Sequence, residues 1–189
     1  MKDAKTALLM FVAFTIICGG IYPAIVTGIA QAVFPKRANG SFITDKSGKI
    51  AGSALIGQAF SDPKYFWPRP SSTGDFGYNP ATSGGSNLGP TNPDYIRQVE
   101  ERVRKLRNSG FTGDIPSEMV QASGSGLDPD ISPNAAIAQI PHVAAARGVN
   151  EEALRNLVNA HIEDRQLGIF GDRRVNVLAL NLALDKLAP

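Results

Sequence analysis

No charged residue stands between Lys5 and Lys36. Within that gap, residues 7–34 read ALLMFVAFTIICGGIYPAIVTGIAQAVF, 28 residues that would span about 42 Å as a helix at 1.5 Å per residue. A bilayer core needs roughly 20 apolar residues in helical form. The stretch therefore predicts one transmembrane helix with length to spare, kinked at Pro23, which lacks an N–H and whose ring crowds the turn before it. Three other readings compete. Lys2 and Lys5, the apolar run over residues 7–18 and Ala30-Gln31-Ala32 resemble a cleaved signal peptide, but the apolar character continues past Cys18 and suits an anchor better. Lipid modification at Cys18 would need a small residue where Ile17 stands. A buried helix of a soluble core is seldom this long.

Gly20, Ala24, Gly28 and Ala32 recur every four residues inside the span. On a regular helix that spacing keeps them on one face and makes a flat ridge that a second helix can approach closely. Small residues are common in membrane helices in any case; four in register favour a helix partner. The span contains no Asp, Glu, Lys, Arg or His, so it offers no ion or proton pathway of its own.

The rest divides the chain into residues 1–35, helix and flank, and residues 36–189, enough for one core-bearing soluble domain. Past position 35 there are 17 Lys+Arg and 16 Asp+Glu, mixed along the chain. That balance argues against a nucleic-acid partner. Cys18 is the only cysteine, so the domain has no disulfide and no thiolate metal site.

The domain reads as α+β. Residues 41–45 and 50–58 suggest two strands around a Lys46-Ser47-Gly48-Lys49 turn. Tyr65, Phe66 and Trp67 form an aromatic corner. Residues 68–92 then carry no helical or strand period, the mark of a long functional or disordered loop; Phe76, Tyr78 and Leu88 favour an ordered one. Its small hydroxyls and backbone donors suit close contact with a ligand or with another protein. Asn92-Pro93-Asp94 opens a helix with Ile96, Val99, Val103 and Leu106 inward and Glu100, Glu101, Arg102, Arg104 and Lys105 as a solvated face, ended by Gly110. Residues 118–122 suggest a strand. Ser132-Pro133 opens another helix that Pro141 should break into two, with Gly148 as terminator. Asn150 caps a further helix with Leu154, Leu157, Val158, His161 and Ile162 inward. Residues 175–187 begin like a strand but favour a helix capped near Asn176.

No phosphate-binding GxxxxGK[ST] loop and no GxSxG elbow occurs. His142 and His161 are the only histidines, too few for a histidine-based metal site and more often structural than catalytic. Asp128-Pro129-Asp130 resembles the start of a calcium loop, but Pro133 replaces the required Gly and Gln139 the final Glu; the acids fit turns and caps better. Ser83-Gly84-Gly85-Ser86-Asn87 could cradle an anion on backbone N–H groups, though a plain turn explains it as well.

Taken together, Tyr22-Pro23, Gly57-Gln58, Phe66, Arg69-Pro70-Ser71, Tyr78-Asn79-Pro80, Ser83 to Leu88, Ser125-Gly126-Leu127-Asp128, Ile140-Pro141 and Asn181 to Leu187 resemble the KdpC family. Its members are the small C subunits of Kdp potassium-transporting P-type ATPase complexes, and the likeness covers nearly the whole chain. It implies a non-catalytic subunit beside a channel-like potassium-translocating subunit, a P-type ATPase subunit and a small single-span subunit, in contact with membrane lipid. The family is described as a catalytic chaperone that raises the ATP affinity of the ATPase subunit, with a Ser-Gly-Gly stretch likened to the signature of ABC ATPases. Here that stretch is Ser83, Gly84, Gly85, Ser86 and Asn87, with Ser86 in place of the signature's Gln. By resemblance ATP is a possible ligand there, while no directly bound cofactor and no metal is expected. Pro68 stands where the family usually has Gly.

Arg69, Ser71, Tyr78 and Asn79 are then expected to belong to a partner-docking loop. The alternative is a free-standing anchored domain that binds a small ligand through the Gly/Ser loop. Lys36, Arg37, Lys46 and Lys49 outnumber Lys2 and Lys5 and by themselves favour a cytoplasmic domain, yet long domains cross largely regardless of such charges. The resemblance implies a bacterial inner-membrane protein with the domain outside, on the potassium-entry side.

Overall fold

The computed structural model describes residues 2–74 and 76–187 and divides into two units, one reaching to Phe42 and the other beginning at Ile43. In the first, α1 (Lys2–Ile16), a π-helical turn (Ile17–Ile21) and α2 (Tyr22–Val33) run on as one helix of 32 residues, long and apolar enough to cross a membrane, with no residue buried. The kink expected at Pro23 takes another form. The irregularity precedes the proline: the Tyr22 amide donates to the Ile17 carbonyl, five residues back. Pro23, second in α2, has no N–H for the Gly19 carbonyl and would crowd it in a regular helix. Widening the preceding turn relieves that conflict without ending the helix. A short helix, α3 (Pro35–Ala38), follows, and Asn39 exchanges amide hydrogen bonds with Gln31 at 3.0 and 3.3 Å.

The boundary falls inside β1 (Phe42–Thr44), which forms a hairpin with β2 (Ile50–Ser53). The Asp45 carboxylate accepts from the Ser47 and Lys49 amides at 2.8 and 3.0 Å and fixes the turn. β2 is shorter than the sequence suggests because the chain turns after Ser53, and Gln58 donates back to the Ala51 carbonyl at 2.9 Å.

α4 (Pro93–Asn108) starts as expected, with the Asn92 side chain accepting from the Asp94 amide at 2.8 Å. Leu106 is buried and Val99 and Val103 pack against the core, but Ile96, in the first turn, is 45% exposed. The strand expected at residues 118–122 is instead a 3-10 turn, Ser117–Met119. Its Glu118 carboxylate accepts from the Ser132 amide at 3.1 Å, and the Val120 carbonyl accepts from Arg102 at 2.8 Å. The Met119, Val120 and Gln121 amides donate to the Pro116 and Ser117 carbonyls inside the turn, so no ladder is needed.

β3 (Asp130–Ile131) leads into α5 (Pro133–Arg147), capped by the Ser132 hydroxyl and closed by Gly148. Pro141 does not split this helix. Losing one hydrogen bond and straining a turn costs about 3 kcal/mol. Ala135, Ala136, Gln139 and Ile140 before the proline and His142, Val143 and Ala144 after it are all buried. Each large apolar side chain so placed is worth about 1.5–3 kcal/mol, so packing on both sides outweighs the break.

α6 (Glu151–Ala160) is capped by Asn150 and ends earlier than the apolar pattern implies. Ile162 belongs instead to β4 (Ile162–Glu163), and His161 turns its Nδ1 to the Leu157 carbonyl at 2.8 Å. β5 (Arg174–Asn176) lies between β3 and β4, antiparallel to both, with Val175 opposite Ile131 and Ile162. α7 (Val177–Leu184) follows at once, its first turn capped by Asn176 through the Ala179 amide at 3.0 Å. The final segment is thus a strand for three residues and a helix after them, in an α+β domain. Phe66, Phe111, Ile131, Ile140, Val143, Leu154, Val158, Val175, Leu180 and Leu184 are the fully or almost fully buried centre.

Candidate functional site

The long loop begins at a clamp. The Trp67 amide donates to Gln139 Oε1 at 2.7 Å, and Gln139 Nε2 donates back to the Trp67 carbonyl at 3.1 Å. Asn181 treats the neighbouring Phe66 in the same way. Both amides are buried. They act as one-residue strand partners for backbone that has no sheet to join. The predicted aromatic corner is therefore a core element, and it fixes where residue 68 onward must start.

From there the loop folds onto residues 123–128. The Arg69 guanidinium meets the Asp128 carboxylate at 3.0 Å. The Ser123 amide donates to the Pro70 carbonyl at 3.2 Å. The Ser71 hydroxyl donates to the Gly126 carbonyl at 2.7 Å and accepts from the Tyr78 amide at 2.9 Å. The Tyr78 hydroxyl donates to the Arg69 carbonyl, and burial pushes that phenol's pKa up. The Asn79 amide donates to the Thr73 hydroxyl at 2.8 Å, and the Asn79 side chain accepts from the Ala81 amide at 3.0 Å. Ser83 Oγ and the Gly84 amide both donate to the Ser125 carbonyl, at 3.0 and 2.8 Å. Two glycines make this closeness possible. A Cβ on Gly57 would lie 2.5 Å from the Tyr78 ring and 2.6 Å from the Asp128 carbonyl. Gly126 has φ +66°, and its Cβ would come 2.4 Å from a Thr73 methyl.

The structure thus brings together Arg69, Ser71, Tyr78, Asn79, Ser83 and Gly84, which the sequence singled out, with Gly57 and residues 125–128 from the resembling motifs and with the neighbouring Ser123. Gly85 lies against Gly124, Ser86 lines a neighbouring recess with Gln98 and Arg102, and Asn87 takes a left-handed φ of 53°. The acids of the rejected calcium loop are otherwise engaged. Asp128 pairs with Arg69 and accepts from the Asp130 amide at 3.1 Å. Asp130 faces Arg174 at 3.1 Å, and burial raises its pKa despite the Asn176 hydrogen bond and that cation. Among the described residues no group of three or more His, Cys, Asp and Glu is placed to hold a metal ion.

Beside the loop lies a cleft of about 270 Å³ lined by Arg69, Arg102, Lys105, Trp67 and Tyr78 among others. Arg102 and Lys105 are therefore not simply part of a solvated face. Burial lowers the Arg102 pKa, and Lys105 Nζ lies 5.3 Å from the centre of the Trp67 ring. Only the tertiary fold puts α4 opposite the loop, and periodicity alone could not show it.

In the helical unit Ala24, Gly28 and Ala32 lie at four-residue intervals on α2, while Gly20 lies in the π turn. An added Cβ at Gly20 or Gly28 would meet nothing within 4 Å. Sequence reasoning passed over two further features. Asp185 joins Arg147 at 2.6 Å and the Tyr65 hydroxyl at 3.1 Å, tying α5 and α7 to the aromatic corner. The connection between β4 and β5 is a second hairpin, whose apolar tip the alternation of charges around it could have flagged.

A family model described as KdpC, K+-transporting ATPase, c chain, matches residues 4–186. The chain belongs to the KdpC family. A potassium-transporting ATPase KdpC subunit of Geobacter metallireducens is 69% identical over 189 residues, all of both chains. That of Geotalea uraniireducens is 65% identical over 188 residues, with both chains covered in full. A more distant KdpC subunit, from Methylococcus capsulatus, is 51% identical over 185 residues, 97% of each chain.

Proposed function

We propose that this KdpC-family chain is a non-catalytic subunit of an ATP-driven potassium-importing complex. Residues 2–33 anchor it in the bacterial inner membrane, with the domain on the outer, potassium-entry side. Its partners are the channel-like potassium-translocating subunit, the P-type ATPase subunit and the small single-span subunit. It stabilises the assembly and raises the apparent ATP affinity of the ATPase subunit through subunit contacts. Gly20, Ala24, Gly28 and Ala32 form the face of the anchor that packs on a partner helix.

The observation that carries this reading beyond family membership is the spending of the loop's polar groups on its own scaffold. Ser71, Tyr78, Ser83 and Gly84 all donate or accept within the chain. A reacting centre needs groups aimed at a substrate; this loop is built as a fixed surface. Ser83 Oγ and the Gly84 amide would have to leave the Ser125 carbonyl to reach a phosphate. That engagement supports ATP as a ligand of the complex rather than of Ser83 and Gly84.

The test places Ser83→Ala and Ser86→Ala in the full complex. Assembly or apparent potassium affinity should change, and ATP hydrolysis should fall only in step with it. Hydrolysis of ATP by the purified chain alone, abolished in Ser83→Ala, would overturn the reading.

A further inference from the structure

The cleft between the long loop and α4 carries an unbalanced charge. Phe60, Leu106 and Met119 give it apolar walls, and Arg69, Arg102 and Lys105 line it as well. Among the described residues no Asp or Glu does. Arg69 is neutralised by Asp128 at 3.0 Å. Arg102 donates only to neutral acceptors, the Val120 carbonyl at 2.8 Å and Gln98 Oε1 at 3.3 Å. The Lys105 ammonium lies over the Trp67 ring, 5.3 Å from its centre. Among the described residues neither Arg102 nor Lys105 meets a carboxylate at ion-pair distance.

Residues three apart on a helix share a face, so α4 offers these two positive charges side by side. Burial lowers the Arg102 pKa, and Tyr95 and Glu101 offset that only in part. An anion beside both cations would favour their charged forms. A further donor waits nearby: Arg69 Nε is buried and makes no hydrogen bond of normal geometry among the described residues. An apolar cleft with a few convergent polar groups is the common form of a small-molecule site. At about 270 Å³ this one falls below the roughly 300–1,000 Å³ that drug-sized ligands occupy. It has room for an anionic head and a few carbons, and not for a nucleoside triphosphate.

We propose that the cleft binds a small soluble organic anion. Its carboxylate or phosphate is held by Arg102 and Lys105, and its short apolar body lies against Trp67 and Leu106. The site goes beyond the subunit reading given above and does not depend on it.

Trp67 is the chain's only tryptophan and lines the cleft, so its fluorescence reports occupancy in the purified full-length chain in detergent. Butyrate and monobutyl phosphate should each give a saturable change, with matching calorimetric titrations. Butanol lacks the charge and should give none; inorganic phosphate lacks the body and should bind more weakly. Lys105→Gln should weaken butyrate binding about tenfold by calorimetry, the scale of one charge-assisted hydrogen bond. Lys105 is exposed, so the variant should keep the parent's melting curve. Arg155→Gln removes an exposed cation outside the cleft and should bind as the parent does. A response to butanol or sodium chloride equal to that of butyrate would overturn the proposal. So would tighter binding of ATP than of butyrate, or displacement of butyrate by phosphatidic acid mixed into the detergent, which would reassign the site to a lipid head group. Absence of any saturable response would also overturn it and leave the subunit reading standing; if Lys105→Gln then lost partner subunits, the cations would belong to a carboxylate on another subunit.

Discussion

Asn181 and Phe66 exchange two hydrogen bonds of 2.9 Å, side chain to backbone in both directions, inside the core. A buried amide that satisfies both polar groups of a distant residue ties the C-terminal helix to the start of the long loop. Asn181→Leu keeps the volume and leaves the Phe66 N–H and carbonyl without those partners. Unpaired buried groups of this kind cost about 1–3 kcal/mol each. The full-length protein in detergent should melt several degrees lower, or fail to accumulate, as read by thermal unfolding. An unchanged midpoint would show that the clamp contributes nothing.

Gly126→Ala should be more disruptive than its one added methyl suggests. The residue would sit at φ +66° with its Cβ 2.4 Å from a Thr73 methyl and 2.7 Å from the Gly84 carbonyl. Left-handed strain alone costs on the order of 1 kcal/mol, and the backbone contact cannot be relieved by a rotamer change. Residues 71–84 should become accessible to limited proteolysis while α5 and α6 stay protected. Equal cleavage of parent and variant would contradict the docking of the loop on residues 123–128.

His142 is buried between Trp67 and Phe111, each with its ring centre 6.0 Å away, and neither nitrogen makes a hydrogen bond of normal geometry among the described residues. Burial holds its pKa below the ordinary value, and the nearby Gln139 carbonyl offsets this only in part. The folded state therefore prefers the neutral ring. That contribution is complete above the unfolded pKa of about 6.5 and is lost as pH falls through the lower folded value, because the unfolded chain binds the proton more readily. Melting temperature should decline on acidification below about pH 6.5, and His142→Phe should flatten that limb. An identical acid limb in the variant would assign the decline to carboxylates.

Which side of the membrane the domain occupies can be read directly. In a Cys18→Ser background, a single cysteine at Ser125, which is exposed, should react with a membrane-impermeant thiol reagent in cells whose outer envelope is permeable. Labelling only after the inner membrane is broken would place the domain in the cytoplasm and return direct nucleotide binding to consideration.

The sequence by itself determined the long apolar helix, because hydrophobic length is a property of consecutive residues. It also determined the starts of α4, α5, α6 and α7, because Asn92, Ser132, Asn150 and Asn176 act on amides only two or three residues away. The motifs of the loop were visible as residue types, and they led to the family. What they do to one another was not. Ser83 and Ser125, or Arg69 and Asp128, meet across dozens of residues, and a one-dimensional pattern holds no information about which turns face each other. Pro141 went the other way from local preference for the same reason: burial on both sides of the proline outweighed the local terms. The hairpin tip at Leu167, Ile169 and Phe170 is the clearest case, because which apolar side chains stay outside the core is decided only by the tertiary structure.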